Sequence, residues 1–252
     1  MKTASIAAVT LREVLRRKVQ VNLLIFGTLL VLATYLISLL TLGEMHRIIS
    51  DLGLSAMEAI GTLLAVFLGS SLIAGDVERR VLYPVVAKPV TRTQYILGRY
   101  AGLGVALLLN LAVMAAALGA VLAFDARSLS AVDRIFLTAV AMMGVQFLVV
   151  AAVAVLFSCV TSSTLAAIFT LSVVIAGHLT NEMRNLWQGP ATWLPRVIWY
   201  ALPNLASLSL NEQVIYRSPV QPGTWLAALY GLLYAVASLT IASLAFERRD
   251  FR

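Results

Sequence analysis

Apolar runs of membrane-crossing length, separated by short polar stretches, dominate the pattern along this chain. Val21–Leu42 carries no charged residue over 22 positions. At 1.5 Å per residue that is about 33 Å of helix, enough to cross a hydrocarbon core of roughly 30 Å. The same reading predicts spans at about 56–74, 101–124, 135–157, 164–180 and 225–246, with a polar connection at Gly43–Leu54. Ile135–Thr180 has no Asp, Glu, Lys or Arg but is too long for one helix. The polar run Ser158-Cys159-Val160-Thr161-Ser162-Ser163 divides it into a hairpin.

Three segments break the apolar pattern. Residues 1–20 hold a basic amphipathic helix with Ala4, Ala7, Leu11, Val14 and Leu15 on one face and Arg12, Glu13, Arg16 and Arg17 on the other, suited to the membrane interface. Residues 75–100 place acids first and bases after, with Pro84 and Pro89 between, and read as a structured loop. Residues 181–224 contain Pro190, Pro195, Pro203, Pro219 and Pro222 together with Trp187, Trp193 and Trp199. That aromatic enrichment predicts short helices lying on one membrane face.

Composition agrees with an all-α, polytopic membrane domain spanning residues 1–252. Hydrophobic residues make up 60% and charged residues 12%, against about 25% charged in soluble domains. Mean hydropathy is +0.90. The net charge of +7 is explained by lysines and arginines flanking the spans, and no basic stripe with an aromatic platform calls for nucleic acid. Of 19 such residues, 13 fall on the side of the termini and of residues 75–100, and six on the other. The positive-inside rule therefore puts both termini and that loop in the cytoplasm and residues 181–224 outside. The one cysteine, Cys159, allows no internal disulfide and no cysteine-based metal cluster. The basic start followed by a long apolar run is not a cleavable signal, so the first span is expected to stay.

Little in the chain suggests chemistry of its own. His46 and His178 are far apart in sequence and form no helical metal-binding pair, Gly69-Ser70-Ser71 is not a nucleophile elbow, and no phosphate-binding loop occurs. No catalytic residue, metal ligand or cofactor is expected in the chain. Glu58 is either an intramembrane carboxylate or, three residues after Ser55, half of a capping box at the start of the second span; the cap is the favoured reading. Asn110, Gln146 and Thr170 are the polar groups best placed in mid-membrane, as interhelical hydrogen bonders or pathway contacts. Gly61, Ala65 and Gly69 form a small-residue stripe, and Gly98 and Gly102 a second one, both suited to close helix packing. In the loop, Asp76, Glu78, Arg79 and Arg80 fit one helical turn beyond the second span. Their mixed charge, with apolar Val81, Leu82 and Tyr83, suits docking into a groove on a soluble partner.

The loop also carries a resemblance. Glu78, an apolar stretch with proline, Pro89-Val90-Thr91-Arg92 and Leu97-Gly98-Arg99 are similar to the loop of type-2 ABC transporter permeases, which read Glu, a short apolar run, Pro-Val-Ser-Arg and Leu-Gly-Lys. Thr91 and Arg99 are mild departures; Arg79-Arg80-Val81 replaces a Gly-Thr-Leu type sequence. In size and topology the chain looks like single-domain, six-span permeases of the copper-enzyme maturation and gliding-motility type. The resemblance implies a permease subunit of an exporter in the bacterial inner membrane that pairs with a second copy, or with a related permease, through the second and fifth spans. It further implies that Asp76, Glu78, Arg79, Arg80, Val81, Leu82, Tyr83, Pro89 and Arg92 form a coupling helix against a cytoplasmic ATPase dimer, which would bind ATP and magnesium. Membrane lipid and an extracytoplasmic accessory protein are further expected partners. A secondary transporter or a non-transporting scaffold are the rival classes, and the substrate is not readable.

Overall fold

A computed structural model describes residues 2–38, 45–78, 91–125, 133–186, 202–220 and 223–247, and no strand occurs among them. In chain order the helices are α1 (Lys2–Leu15), α2 (Lys18–Ser38), α3 (Met45–Glu78), α4 (Arg92–Asp125), α5 (Arg134–Val160), α6 (Ser163–Leu186), the short α7 (Asn211–Ile215) and α8 (Thr224–Glu247). A 3-10 turn, Ala206–Leu208, precedes α7. Among the described residues, four helices are long and apolar enough to cross a membrane, over Arg47–Asp76, Arg92–Phe124, Arg134–Val160 and Thr224–Glu247. Two shorter apolar stretches, Leu23–Leu36 and Ser163–Leu179, lie in α2 and α6.

Helices α3 and α5 form the centre of the bundle. α3 packs on α2, α4, α5 and α6, while α5 also carries α8. Small residues permit this closeness. A side chain at Gly61 would overlap the buried Phe147 ring of α5, and one at Gly69 would meet Ala154. Ala65, between them, is wholly buried. Leu64, Leu72, Ile96, Leu103 and Phe147 fill the interior, whereas Leu29, Phe67, Leu109, Ile168 and Leu233 point outward. Such outward leucines suit lipid, where apolar surface carries no penalty and packing rather than the hydrophobic effect joins the helices.

Several boundaries differ from those read off the sequence. α3 begins at Met45, ten residues before Ser55, so Ser55 and Glu58 do not form a helix-start cap. The capping-box reading is corrected: both residues sit inside a continuous helix, where backbone amides already find intrahelical partners. α4 begins at Arg92 rather than near residue 101. Residues 75–78 and 92–100 are thus helical, and the predicted loop of 75–100 contracts to the connection between α3 and α4. Arg79, Arg80, Val81, Leu82, Tyr83 and Pro89 lie in that connection, outside the described residues. α6 likewise runs past residue 180 to Leu186.

Near its C-terminal end α3 receives a side chain from α5. Ser158 of α5 donates its hydroxyl to the Ser70 carbonyl at 2.7 Å and accepts from the amides of Ile73 at 3.1 Å and Ala74 at 2.8 Å. Ala74 and Ser70 are i→i−4 partners in α3, so the Ser158 hydroxyl bonds both ends of one rung of a helix that continues to Glu78.

Candidate functional site

Two polar clusters interrupt the apolar bundle, one toward each end of α3. The first lies where α3 and α4 meet the connection between them. Asp76, on the last turns of α3, is 5% exposed. Its Oδ2 accepts hydrogen bonds from the Tyr95 hydroxyl and from Arg99, whose Nε stands 2.8 Å away and whose Nη2 is also bound. Arg99 and Tyr95 are four residues apart on α4 and therefore share a face. Gly98 and Gly102 expose the α4 backbone to α1, packing against Ile6 and Thr10, and this brings Glu13 of α1 within 2.5 Å of Arg99 Nη1. Glu13 also accepts from Arg17 at 2.8 Å, and Arg17 donates to Ser71 of α3 at 2.7 Å.

Two carboxylates and two guanidiniums thereby bind α1, α3 and α4 into one knot with balanced charge. Burial is the largest single influence on the Glu13 carboxyl and raises its pKa. The hydrogen bonds from Arg17 and Arg99, with their positive charges, more than offset this and hold it below its ordinary value of 4.5. At the other edge of α4, Arg92 donates to the carbonyls of Phe246 at 3.1 Å and Glu247 at 2.9 Å, the last turn of α8. Four helices are thus tied together at the base of the α3–α4 connection.

This alters the roles expected of two residues. Asp76, expected among the groups that meet an ATPase, is buried against Arg99 and Tyr95. Arg92 is engaged by the end of α8. Glu78 is the last residue of α3.

The second cluster centres on Glu58. Its Oε1 lies 2.9 Å from Gln146 Nε2 of α5 and 3.3 Å from His178 Nε2 of α6. Its Oε2 accepts from Asn211 Nδ2 at 2.7 Å and from Ser209 Oγ at 3.3 Å. The Glu58 side chain is 14% exposed and that of His178 37%. A single carboxylate therefore fastens the segment around α7 onto three helices. Arg47, near the start of α3, adds a second fastening by lying 4.4 Å from the centre of the Tyr216 ring.

The sequence offers His178 no partner at helical spacing, and the structure joins it to Glu58 and Gln146. The other mid-span candidates are not gathered. Asn110 donates to the Ala106 carbonyl of its own helix and Thr170 to that of Ala166. Sequence reasoning missed Glu13, Tyr95, Arg17, Ser158, Ser209 and Asn211. The Glu13–Arg17 and Tyr95–Arg99 pairs had a local signal, their i,i+4 spacing.

Residues 33–251 fit the family model described as ABC-2 family transporter protein. The matched region contains Glu58, Asp76, Arg99, Gln146, His178 and Asn211, whereas Glu13 of α1 and Arg17, between α1 and α2, precede it. No curated protein matches the chain significantly.

Proposed function

Because the chain belongs to the ABC-2 transporter family, a family of multi-pass membrane permeases, we propose that it forms the substrate pathway of an ATP-driven exporter, paired with a second permease copy and powered by a separate cytoplasmic ATPase. The two shorter apolar helices, α2 and α6, complete six spans with the four long ones. Both termini and the α3–α4 connection face the cytoplasm of a bacterial inner membrane, in accord with the 13-to-6 distribution of lysine and arginine.

The observation that carries the reading is the knot at the base of the connection. ATP-driven closure of a soluble ATPase has to displace spans that the ATPase does not touch, and rigid-body displacement requires that the contacted segment be fixed to them. Asp76 and Arg99 fix the two helices that leave the connection to each other, Glu13 extends the attachment to α1, and Arg92 extends it to α8. Glu78, Arg79, Arg80 and the apolar residues after them are the groups left to meet the ATPase.

The test is co-purification with the cognate ATPase after the double substitution Glu78→Ala, Arg79→Ala, followed by ATP hydrolysis in lipid vesicles. Loss of association, or hydrolysis no longer stimulated by the permease, is the expected result. Unchanged association and stimulation would overturn the coupling assignment.

A further inference from the structure

Helix α1 turns a face without acid away from the bundle. On its inner side Thr10 and Val14 are buried, and Ile6, Ala7 and Thr10 lie against Gly98 and Gly102 of α4. Ala4, Ala8, Val9, Arg12, Leu15 and Arg16 are exposed. They recur at three- and four-residue intervals and so form one stripe along the helix. The one acid of α1, Glu13, is drawn inward by Arg99, and Arg17 is engaged by Glu13 and Ser71. Among the described residues, Arg12, Arg16 and the exposed Lys18 that opens α2 form no ion pair. Pairing inside the bundle thus leaves three positive charges and no negative one on the outer side.

The position of the stripe fixes what it meets. Arg99 is the last charged residue of α4 before the 25 uncharged residues 100–124, and Lys18 is the last of α2 before the uncharged residues 19–43. α1 packs beside Arg99 and leads into α2 at Lys18. It therefore lies where both apolar runs begin, the level at which acyl chains give way to headgroups. Exposed Val9 and Leu15 on either side of Arg12 suit that level. Their side chains enter the edge of the acyl region, while the long basic ones reach up to phosphate.

Charge then selects among lipids. A zwitterionic headgroup offers a phosphate whose charge its own ammonium cancels, and three cations gain little net attraction from it. A headgroup with net negative charge is attracted by each of them. The bilayer already covers this face of a membrane-spanning chain, so its lipid is the occupant that the stripe meets first.

We propose that Arg12, Arg16 and Lys18 form a site for acidic phospholipid headgroups, which gathers acidic lipid around α1. The site needs the membrane-spanning fold but neither an ATPase nor export. Because Glu13 joins α1 to Arg99, lipid bound on the outer side of α1 also adds to what holds the helix at the base of the α3–α4 connection.

The experiment places a reporter on the stripe with Val9→Trp, in the full chain reconstituted into phosphatidylcholine vesicles that contain a minor share of phosphatidylglycerol. In one sample the acyl chains of phosphatidylglycerol are brominated; in the other, an equal amount of the phosphatidylcholine is. Quenching of the added tryptophan is taken as the difference from the chain with Val9. Stronger quenching by brominated phosphatidylglycerol is expected, with the excess lost in high salt and in the triple substitution Arg12→Gln, Arg16→Gln, Lys18→Gln. Each single substitution should weaken the apparent affinity for phosphatidylglycerol roughly fivefold. The salt comparison keeps the basic residues in place, so it decides even if the triple variant fails to fold. Equal quenching by the two lipids, an excess that persists in high salt, or one that survives the triple substitution in a folded chain would each overturn the proposal. No ATPase is present, so none of these outcomes depends on the coupling assignment.

Discussion

Replacing Arg99 by methionine separates the two things the knot does, which are to fill space and to balance charge. Methionine keeps most of the stem volume but leaves Asp76, whose side chain is 8% exposed, with Tyr95 as its remaining bonded partner. Removing one member of a buried ion pair costs about 3–5 kcal/mol, because the other charge stays buried without compensation. At roughly 2–4 °C per kcal/mol for a chain of this size, the thermal midpoint should fall by roughly 6–20 °C. The double substitution Arg99→Met, Asp76→Asn removes both charges and should recover a large part of that loss, since replacing a whole buried pair is often nearly neutral. The assay is a double-mutant cycle on thermal midpoints of purified chain in one detergent, with Asp76→Asn as the fourth corner. A drop of less than about 1 kcal/mol for Arg99→Met, typical of exposed pairs, would refute the reasoning. So would a double variant no more stable than the two single losses added together.

Glu13 contributes less, because its side chain is 37% exposed: Glu13→Gln should cost about 1 kcal/mol or less. Its carboxyl is held below 4.5, so its contribution is fully present above that pH and is lost as the pH falls through the lowered folded value. The difference in thermal midpoint between native chain and Glu13→Gln should therefore be flat from pH 7 to 5 and shrink below 4.5; a difference that changes between pH 7 and 5 contradicts the assignment. Gly61→Ala forces a methyl group into the buried Phe147 ring and should cost about 1–3 kcal/mol by overpacking. Phe147→Leu in the same chain should restore part of it, and the absence of any rescue in the thermal midpoint would count against this contact. Ser158→Ala removes one hydroxyl that serves a carbonyl and two amides of α3, a loss of about 1–3 kcal/mol if those groups stay unpaired. Hydrogen exchange at Ile73 and Ala74 reports the outcome: faster exchange is expected, while slower exchange would mean that the helix simply closes its own ladder.

The helical class and most of the apolar runs are visible in the sequence because a lipid-facing helix has to be apolar over its whole length. The ends of α3 and α4 are not. Residues 45–55 and 92–100 contain Arg47, Asp51, Arg92 and Arg99, which interrupt the apolar run without interrupting the helix, and hydropathy detects only the former. The same limit hid the clusters. Asp76 and Arg99 read as flanking charges because nothing local distinguishes a solvated arginine from one buried against a partner 23 positions away. Glu58 fitted a capping box by spacing, yet its partners stand 88, 120, 151 and 153 residues further along. Only the fold brings them together.

The placement of the two clusters along α3 has a mechanical consequence. Glu58 and Asp76 are 18 residues apart, about 27 Å of helix, close to the thickness of a hydrocarbon core. Each carboxylate can therefore stand at a membrane boundary where its polar partners remain reachable by water, and neither has to occupy mid-membrane. Between them α3 contacts its neighbours chiefly through apolar and small side chains, Gly61, Ala65 and Gly69 among them. Such contacts resist separation but offer little resistance to sliding or rotation, because they contain few directional bonds. On the proposed coupling, displacement imposed near Asp76 would be carried along α3 toward Glu58, past the rung that Ser158 bonds. A permease built in this way would move the segment around α7 at one face in response to force at the other. If α3 instead yielded at Ser158 alone, a spin-label distance between the Glu58 end of α3 and α7 would stay fixed while the Asp76 end moved.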